Sequence, residues 1–230
     1  MSVKSLLLCA LLGASVTSYC QNTPDFNAQA EAYQKMAKEM KPKLGIKVGY
    51  NSAYITGSTP SFKPEAKNGF TVAGFYSPAS RTGRGYRTEL IFSRQGFAFD
   101  AGGKLEQVTN DYIYMPHFTT FGIGKFFQLQ IGAQIGYLLH ASKKEESGSS
   151  SSGSDITSLY NRLDYGAAGG FEIYPYKGLI LGARYNLSFG SLYKYQQQQA
   201  GQPNPFPLPF NPEDVKNKNA VVNFFLGYKF

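Results

Sequence analysis

The sequence predicts an all-β protein: an eight-stranded antiparallel transmembrane β-barrel with a short N-terminal periplasmic helix. Three observations predict it. The 230 residues are 42% hydrophobic and 15% aromatic but only 17% charged, which is aromatic-rich and charge-poor for a soluble domain. From Leu44 to Phe230 the apolar residues recur at period two in eight separate runs, the strand signature. The connections between the runs alternate short and long, the pattern of a barrel with periplasmic turns and external loops.

Residues 1–20 have the layout of a signal peptide. Lys4 precedes the apolar run Leu6–Leu12, and small and polar residues lead to Ser18-Tyr19-Cys20 before Gln21, giving the charged, apolar and cleavage regions of an exported precursor. The other reading is a lipoprotein with Cys20 acylated; Tyr19 fits that poorly. Cleavage would leave no cysteine, which excludes disulfides, thiol catalysis and Cys–metal sites. Residues 21–43 form a periplasmic segment with one helix over 25–41. Phe26, Ala30, Tyr33, Ala37 and Met40 share a face, Thr23 or Asp25 caps it and Pro42 ends it. Tyr33, Met36 and Met40 would carry any contact it makes.

Residues 44–230 form the barrel. The first strand alternates Leu44, Ile46, Val48 and Tyr50 with Lys47 and Gly49. The second carries Phe70, Val72 and Tyr76, the third Tyr86, Leu90 and Phe92 opposite Arg87 and Glu89. In the fourth, Tyr112, Tyr114, Pro116 and Phe118 alternate with Asp111, Ile113, Met115 and His117. The fifth runs Phe127–His140, the sixth Asp164–Ile173, the seventh Leu179–Phe189 and the eighth Ala220–Phe230. An eight-stranded barrel has little interior room. The phase of Tyr, Phe, Leu and Ile is therefore expected to face lipid, and the small or polar phase the lumen. Closure leaves no backbone group unpaired in hydrocarbon. Short turns are expected at 78–85, 122–125 and 174–178, and long loops at roughly 53–68, 96–109, 141–159 and 190–218. The third loop holds the Ser/Gly tract Ser147–Ser154, of disordered composition. The fourth holds Phe206, Leu208 and Phe210 alternating with prolines, either a partner-recognition segment or a loop folded over the mouth.

Charge sorts by topology. The inward phase holds Lys47, Arg87, Arg184 and Lys229 against Glu89, Asp111, Asp164 and Glu172. This balanced set reads as a lumen polar network, because buried charges need partners; Arg87/Glu89 and Asp164/Glu172/Arg184 are the expected groupings. A plugged barrel follows, with a narrow ion channel as the alternative. The long loops also balance. The net charge of +8 comes mainly from the periplasmic side, where Lys35, Lys38, Lys41, Lys43, Arg81, Arg84, Lys125 and Lys177 face Asp25, Glu31 and Glu39. Contact with anionic lipid or with an acidic periplasmic protein would use that surplus. Arg94 and Arg162 stand near the outer rim, in reach of lipopolysaccharide phosphates. An exported barrel has no business with nucleic acid despite the basic pI.

The chain closes with Phe224-Phe225-Leu226-Gly227-Tyr228-Lys229-Phe230. A last strand with Phe224, Leu226, Tyr228 and a terminal Phe230 resembles the signal read by the outer-membrane barrel-assembly machinery. Leu44-Gly45-Ile46-Lys47-Val48-Gly49, Thr88–Gly96, Tyr114-Met115-Pro116, Gly136-Tyr137-Leu138-Leu139 and Leu181–Asn186 together resemble the PorT-like outer-membrane β-barrel domain family. That resemblance implies a small Gram-negative outer-membrane barrel, one branch of the family being associated with type IX secretion. It implies no activity. The expected role is structural, or as an accessory subunit of an outer-membrane assembly.

Catalysis finds little support in the residues. His117 and His140 have no partners at metal-ligand spacing, no cofactor motif is present, and no catalytic or metal site is assigned. The enzyme to test against is a lipid-modifying one; for it His117, expected to face the lumen, and Thr119 would have to act at the lipid wall.

Overall fold

The structure, a computed structural model, describes residues 30–31, 34, 41–56, 64–79, 84–100, 103–145, 153–194 and 218–230. The chain divides at Lys41/Pro42 into two units. In the first, Ala30, Glu31 and Gln34 are helical. Residues 1–20 with the Cys20 question, the contact candidates Tyr33, Met36 and Met40, and the loop residues Phe206, Leu208 and Phe210 lie outside the described residues.

The second unit is a closed antiparallel barrel. Its strands are β1 Lys43–Thr56, β2 Glu65–Ser77, β3 Arg84–Asp100, β4 Leu105–Ile123, β5 Phe127–Glu145, β7 Leu163–Ile173, β8 Leu179–Ser188 and β9 Lys218–Lys229; the two-residue β6, Ser154–Asp155, pairs on the far end of β5. Neighbours in sequence pair around the ring, and β1 closes on β9 from Gly45↔Lys229 to Thr56↔Lys218. A short 3-10 turn, Thr157–Leu159, follows β6. No helix among the described residues is long and apolar enough to cross a membrane; the strands are the crossing elements.

The period-two pattern sets the wall. Leu44, Ile46, Val48 and Tyr50 point outward on β1, as do Leu90 on β3, Ile131 and Ile135 on β5, and Phe224 and Leu226 on β9; Leu90 and Ile131 are more than three-fifths exposed. A continuous apolar belt of this size is untenable in water and is what a bilayer requires. The strand ends define a turn end, with the 78–83, 124–126 and 174–178 connections, and a loop end. Gly124 takes φ 64° in the β4–β5 turn, a conformation that costs glycine nothing.

Two expectations change. The 96–109 segment is not a long loop: β3 and β4 stay paired from Gly96↔Thr109 to Asp100↔Leu105. Residues 101–104 alone connect them, with Gly103 at φ 88° donating its N–H to Asp100 Oδ1 at 2.6 Å. The strand run ignores the bilayer edge because Phe97, Phe99 and Val108 bury inward beyond it. The third loop is likewise shortened, since β5 reaches Glu145 and Ser154 joins β6.

The inward phase of β4 is the second change. Tyr112, Tyr114 and Phe118 are buried, whereas Ile113 and Met115 are exposed and His117 faces outward with them. Size alone put these aromatic residues outside. Tyr114 and Phe118 fit inside because each pairs with a glycine of β5, Gly136 and Gly132, and at Gly136 any Cβ would strike the Tyr114 ring. Phe225 lies over Gly182 of β8 and Phe75 over Gly45 of β1 in the same way. The glycines are room for inward rings.

Candidate functional site in the barrel lumen

Alternation brings one charged group from each of three strands, β1, β7 and β8, and two from β3 together in the lumen. Lys47 Nζ donates to Glu89 Oε1 at 2.5 Å and to Glu172 Oε1 at 2.6 Å. Arg87 donates to Glu172 Oε2 at 2.5 Å. Arg184 grips Glu89 with both terminal nitrogens, at 2.9 and 3.0 Å, the two-pronged geometry that makes guanidinium–carboxylate pairs strong. All five side chains are at most 4% exposed. Phenyl rings wall the cluster: Lys47 lies 4.7 Å from the Phe225 centroid and 5.0 Å from Phe75, and Arg184 4.3 Å from Phe118. These faces carry the negative part of the ring quadrupole, which suits a cluster of three cations and two anions. On the turn side Tyr174 donates to Glu172 Oε2 at 2.6 Å and lies over the cluster with Gln128.

Above this layer sits a polar chamber of about 30 Å³, lined by Asn51, Thr71, Ser93, Gln95, Gln134, Arg184 and Asn223 among others. That is room for roughly two water molecules. Among the described residues Arg184 Nε is buried and has no hydrogen-bond partner. Amides brace its walls: Asn223 Nδ2 donates to Asn51 Oδ1 at 2.8 Å, and Asn219 Nδ2 to Gln95 Oε1 at 2.5 Å. Asp164 closes the chamber toward the loop end, accepting from Tyr114 at 2.7 Å and Ser188 at 2.6 Å.

The loop end is capped by an apolar cluster. Ile55, Phe97, Phe99, Tyr112 and Leu138 from the strands meet Ile156, Tyr160, Leu192 and Tyr193 from the connections. The Tyr160 and Tyr193 rings pack at 4.8 Å between centroids, and Asn161 Nδ2 donates to the Ser191 and Tyr193 carbonyls at 2.7 and 2.8 Å. Burial pushes both tyrosine hydroxyls above their ordinary pKa. Asp155 accepts from the Thr157 hydroxyl and amide, which hold its carboxyl below the usual carboxylate range.

Of the residues expected in the lumen network, Lys47, Arg87, Glu89, Glu172 and Arg184 converge. Their partners differ from the expected groupings: Arg87 takes Glu172, Arg184 takes Glu89, and Asp164 binds hydroxyls instead. Lys229 is half-way out of the turn end, 4.5 Å from the Tyr174 ring. Asp111 is a correction: it lies on the outer wall and pairs with Arg94, bidentate at 2.7 and 2.8 Å, because β4 keeps Asn110 and Tyr112 inside. His117 is the other: it stacks on Tyr86 across β3–β4 and hydrogen-bonds its hydroxyl on the outer wall. The terminal residues Phe224, Leu226, Tyr228 and Phe230 all point outward. The uncharged members, Asn51, Gln95, Gln130, Asn219 and Asn223, went unremarked in the sequence; their inward phase was the available signal.

Comparison with known proteins agrees with this architecture. Residues 23–194, roughly three quarters of the chain, match the model of the outer membrane protein β-barrel domain. The solved Neisserial surface protein A superposes with a TM-score of 0.51 at 12% identity, covering 81% of this chain and 97% of its own. The attachment invasion locus protein Ail of Yersinia pestis gives 0.46 at 15% identity, covering 83% of this chain and all of its own. OprG of Pseudomonas aeruginosa gives 0.42 at 12% identity, over 83% of this chain and 97% of its own. None of the curated protein sequences compared matches the chain.

Proposed function

Because the chain belongs to the outer membrane protein β-barrel domain family, we propose that it serves in the outer membrane as a sealed structural barrel, an accessory subunit of an outer-membrane assembly. The turn end faces the periplasm and the loop end the outside. One observation carries this reading: the lumen is filled from end to end, by the Lys47–Glu89–Glu172–Arg87–Arg184 cluster, the small chamber and the Tyr160/Tyr193 cap. A barrel with no passage acts through its surfaces. The residues that resemble PorT-like proteins favour a secretion-related assembly of the type IX kind as the narrower identity.

The lipid-modifying alternative is disfavoured by His117. Its partner is a tyrosine hydroxyl, whereas a general base needs a nucleophile in reach and an acid to orient it. Among the described residues no cluster of three or more His, Cys, Asp or Glu could hold a metal.

The test is gentle purification from native outer membranes, with and without residues 25–41. A stable partner that is lost on deletion supports an accessory subunit docked through its periplasmic segment. A barrel that purifies alone in both forms overturns the accessory role.

A further inference from the structure

The turn half of the barrel has no acidic side chain to spare. Among its described residues the only acidic side chains are Glu89 and Glu172, and both are buried in the ion cluster. Three cations answer them there. Five more cations stand at the turn-end rim: Lys43 at the start of β1, Arg84 at the start of β3, Lys125 in the β4–β5 turn, Lys177 in the β7–β8 turn and Lys229 at the end of β9. The first four are exposed and Lys229 partly so. The loop end is different. There carboxylates are present among the cations: Asp111 lies 2.7 Å from Arg94 and Glu106 2.9 Å from Lys143.

The five rim cations do not form a patch. The ring order β1-β2-β3-β4-β5-β7-β8-β9 spreads them around the circumference. Aromatic rings accompany them at the same height. Phe126 adjoins Lys125 and is 63% exposed, Tyr176 adjoins Lys177 and is 74% exposed, and Tyr86 and Phe230 flank Arg84 and Lys229 at the belt's edge. Exposed rings beside lysines at the boundary of an apolar belt are the composition of a membrane–water interface. Long basic side chains at such a boundary can lay their apolar stems along the belt and place their charged heads among the headgroups. A folded protein partner would touch one side of such a ring; an annulus of lipid touches all of it.

We infer that the turn-end rim is a binding surface for anionic phospholipid, recognising the phosphodiester headgroups of the leaflet that surrounds it. The inference rests on the outer-membrane barrel reading and not on the accessory role, so the two fail separately. Each basic group near an anionic surface is worth roughly a fivefold preference.

The experiment reconstitutes the full chain in nanodiscs of phosphatidylcholine with one quarter phosphatidylglycerol, extracts it into mild detergent and measures the retained lipids by mass spectrometry. Both leaflets carry the anionic lipid, so the result does not depend on orientation. Retained lipid enriched severalfold in phosphatidylglycerol over the bulk, and weakened by high salt, is the expected result. The quadruple variant Lys43→Gln, Arg84→Gln, Lys125→Gln, Lys177→Gln should return the ratio to that of the bulk, while Lys144→Gln with Lys194→Gln at the loop end leaves it enriched. A heat-modifiable gel shift confirms that each variant is folded. Retention at the bulk ratio by the unaltered chain overturns the inference, as does enrichment that survives the quadruple substitution. An acidic protein captured through these lysines with lipid at the bulk ratio overturns it in favour of a protein contact.

Discussion

Removing one anion from the lumen cluster should cost far more than removing one cation. Glu172 accepts from Lys47, Arg87, Tyr174 and, at 3.3 Å, Gln130. Glu172→Gln takes the five-group cluster from one surplus positive charge to two. Arg87 is then left with the neutral oxygens of Ser77, Gln128 and Tyr174. Breaking a buried pair in this way costs about 3–5 kcal/mol. Lys47→Met does the reverse. Two matched pairs remain, Arg184 with Glu89 and Arg87 with Glu172. No carboxylate oxygen loses its last donor either, because Arg184 still reaches Glu89 Oε1 and Gln130 still reaches Glu172 Oε1. The thioether packs between the Phe75 and Phe225 rings that flanked the ammonium, a favourable contact for sulfur. Its cost should stay below about 2 kcal/mol on the same scale. The assay is reversible urea unfolding in zwitterionic vesicles followed by far-ultraviolet circular dichroism, since the chain has no Trp to report. If Lys47→Met destabilises as much as Glu172→Gln, the cluster is not held by charge balance and the reasoning fails.

Three further outcomes follow from the structure. Phe230 contributes one backbone hydrogen bond to the closed barrel, its N–H to Leu44 O at 2.9 Å, and its ring is 73% exposed. Deleting it should leave refolding in detergent nearly unchanged but sharply reduce the fraction inserted in cells; normal insertion would remove the assembly-signal reading. Tyr160→Ala opens the cap by a large-to-small change worth about 3–5 kcal/mol, seen as faster hydrogen exchange in residues 189–194 with β1 and β9 unaffected. Asp155, whose folded pKa is depressed by Thr157, steadies its turn above the ordinary aspartate value of about 3.9 and loses that contribution as pH falls through the lower folded value. Exchange of residues 155–160, corrected for intrinsic pH dependence, should rise there, and Asp155→Asn should abolish the change.

The wall of this barrel was legible because lipid enforces it. A residue such as Ile131 or Leu90 has one acceptable side, and period two records the choice. The inward phase is less constrained, and there the reading by size failed on β4. Tyr114 is inside because Gly136 faces it across β5, a relation between strands that no single run displays. The β3–β4 hairpin was misread as a loop for a related reason. Beyond the bilayer edge its outward residues turn polar, as with Thr109 and Gln107, so alternation loses contrast while the pairing continues. The five cluster residues were visible as inward charges. Their partners were not, since whether Arg87 meets Glu89 or Glu172 depends on reach across the lumen.

If the lumen is sealed as proposed, the barrel should not conduct ions, and that can be tested outright. A hydrated ion entering from the loop end must first part the Tyr160/Tyr193 contact and its apolar surroundings. It then meets a chamber that holds roughly two waters, and after that three cations and two anions already bonded to one another. Passage requires dismantling pairs that are buried on every side, where each unpaired charge is expensive. The chain in planar bilayers should therefore show no stable conductance at either polarity. Replacing Lys47, Glu89, Glu172 and Arg184 together by alanine, with Tyr160→Ala to clear the cap, removes both barriers and should open a small pore. Steady conductance in the unaltered chain would refute the plug and restore the channel. Silence in both forms would show that the remaining rings, Phe75, Phe118 and Phe225, close the lumen without the charges, and the cluster would then be needed only to hold the strands.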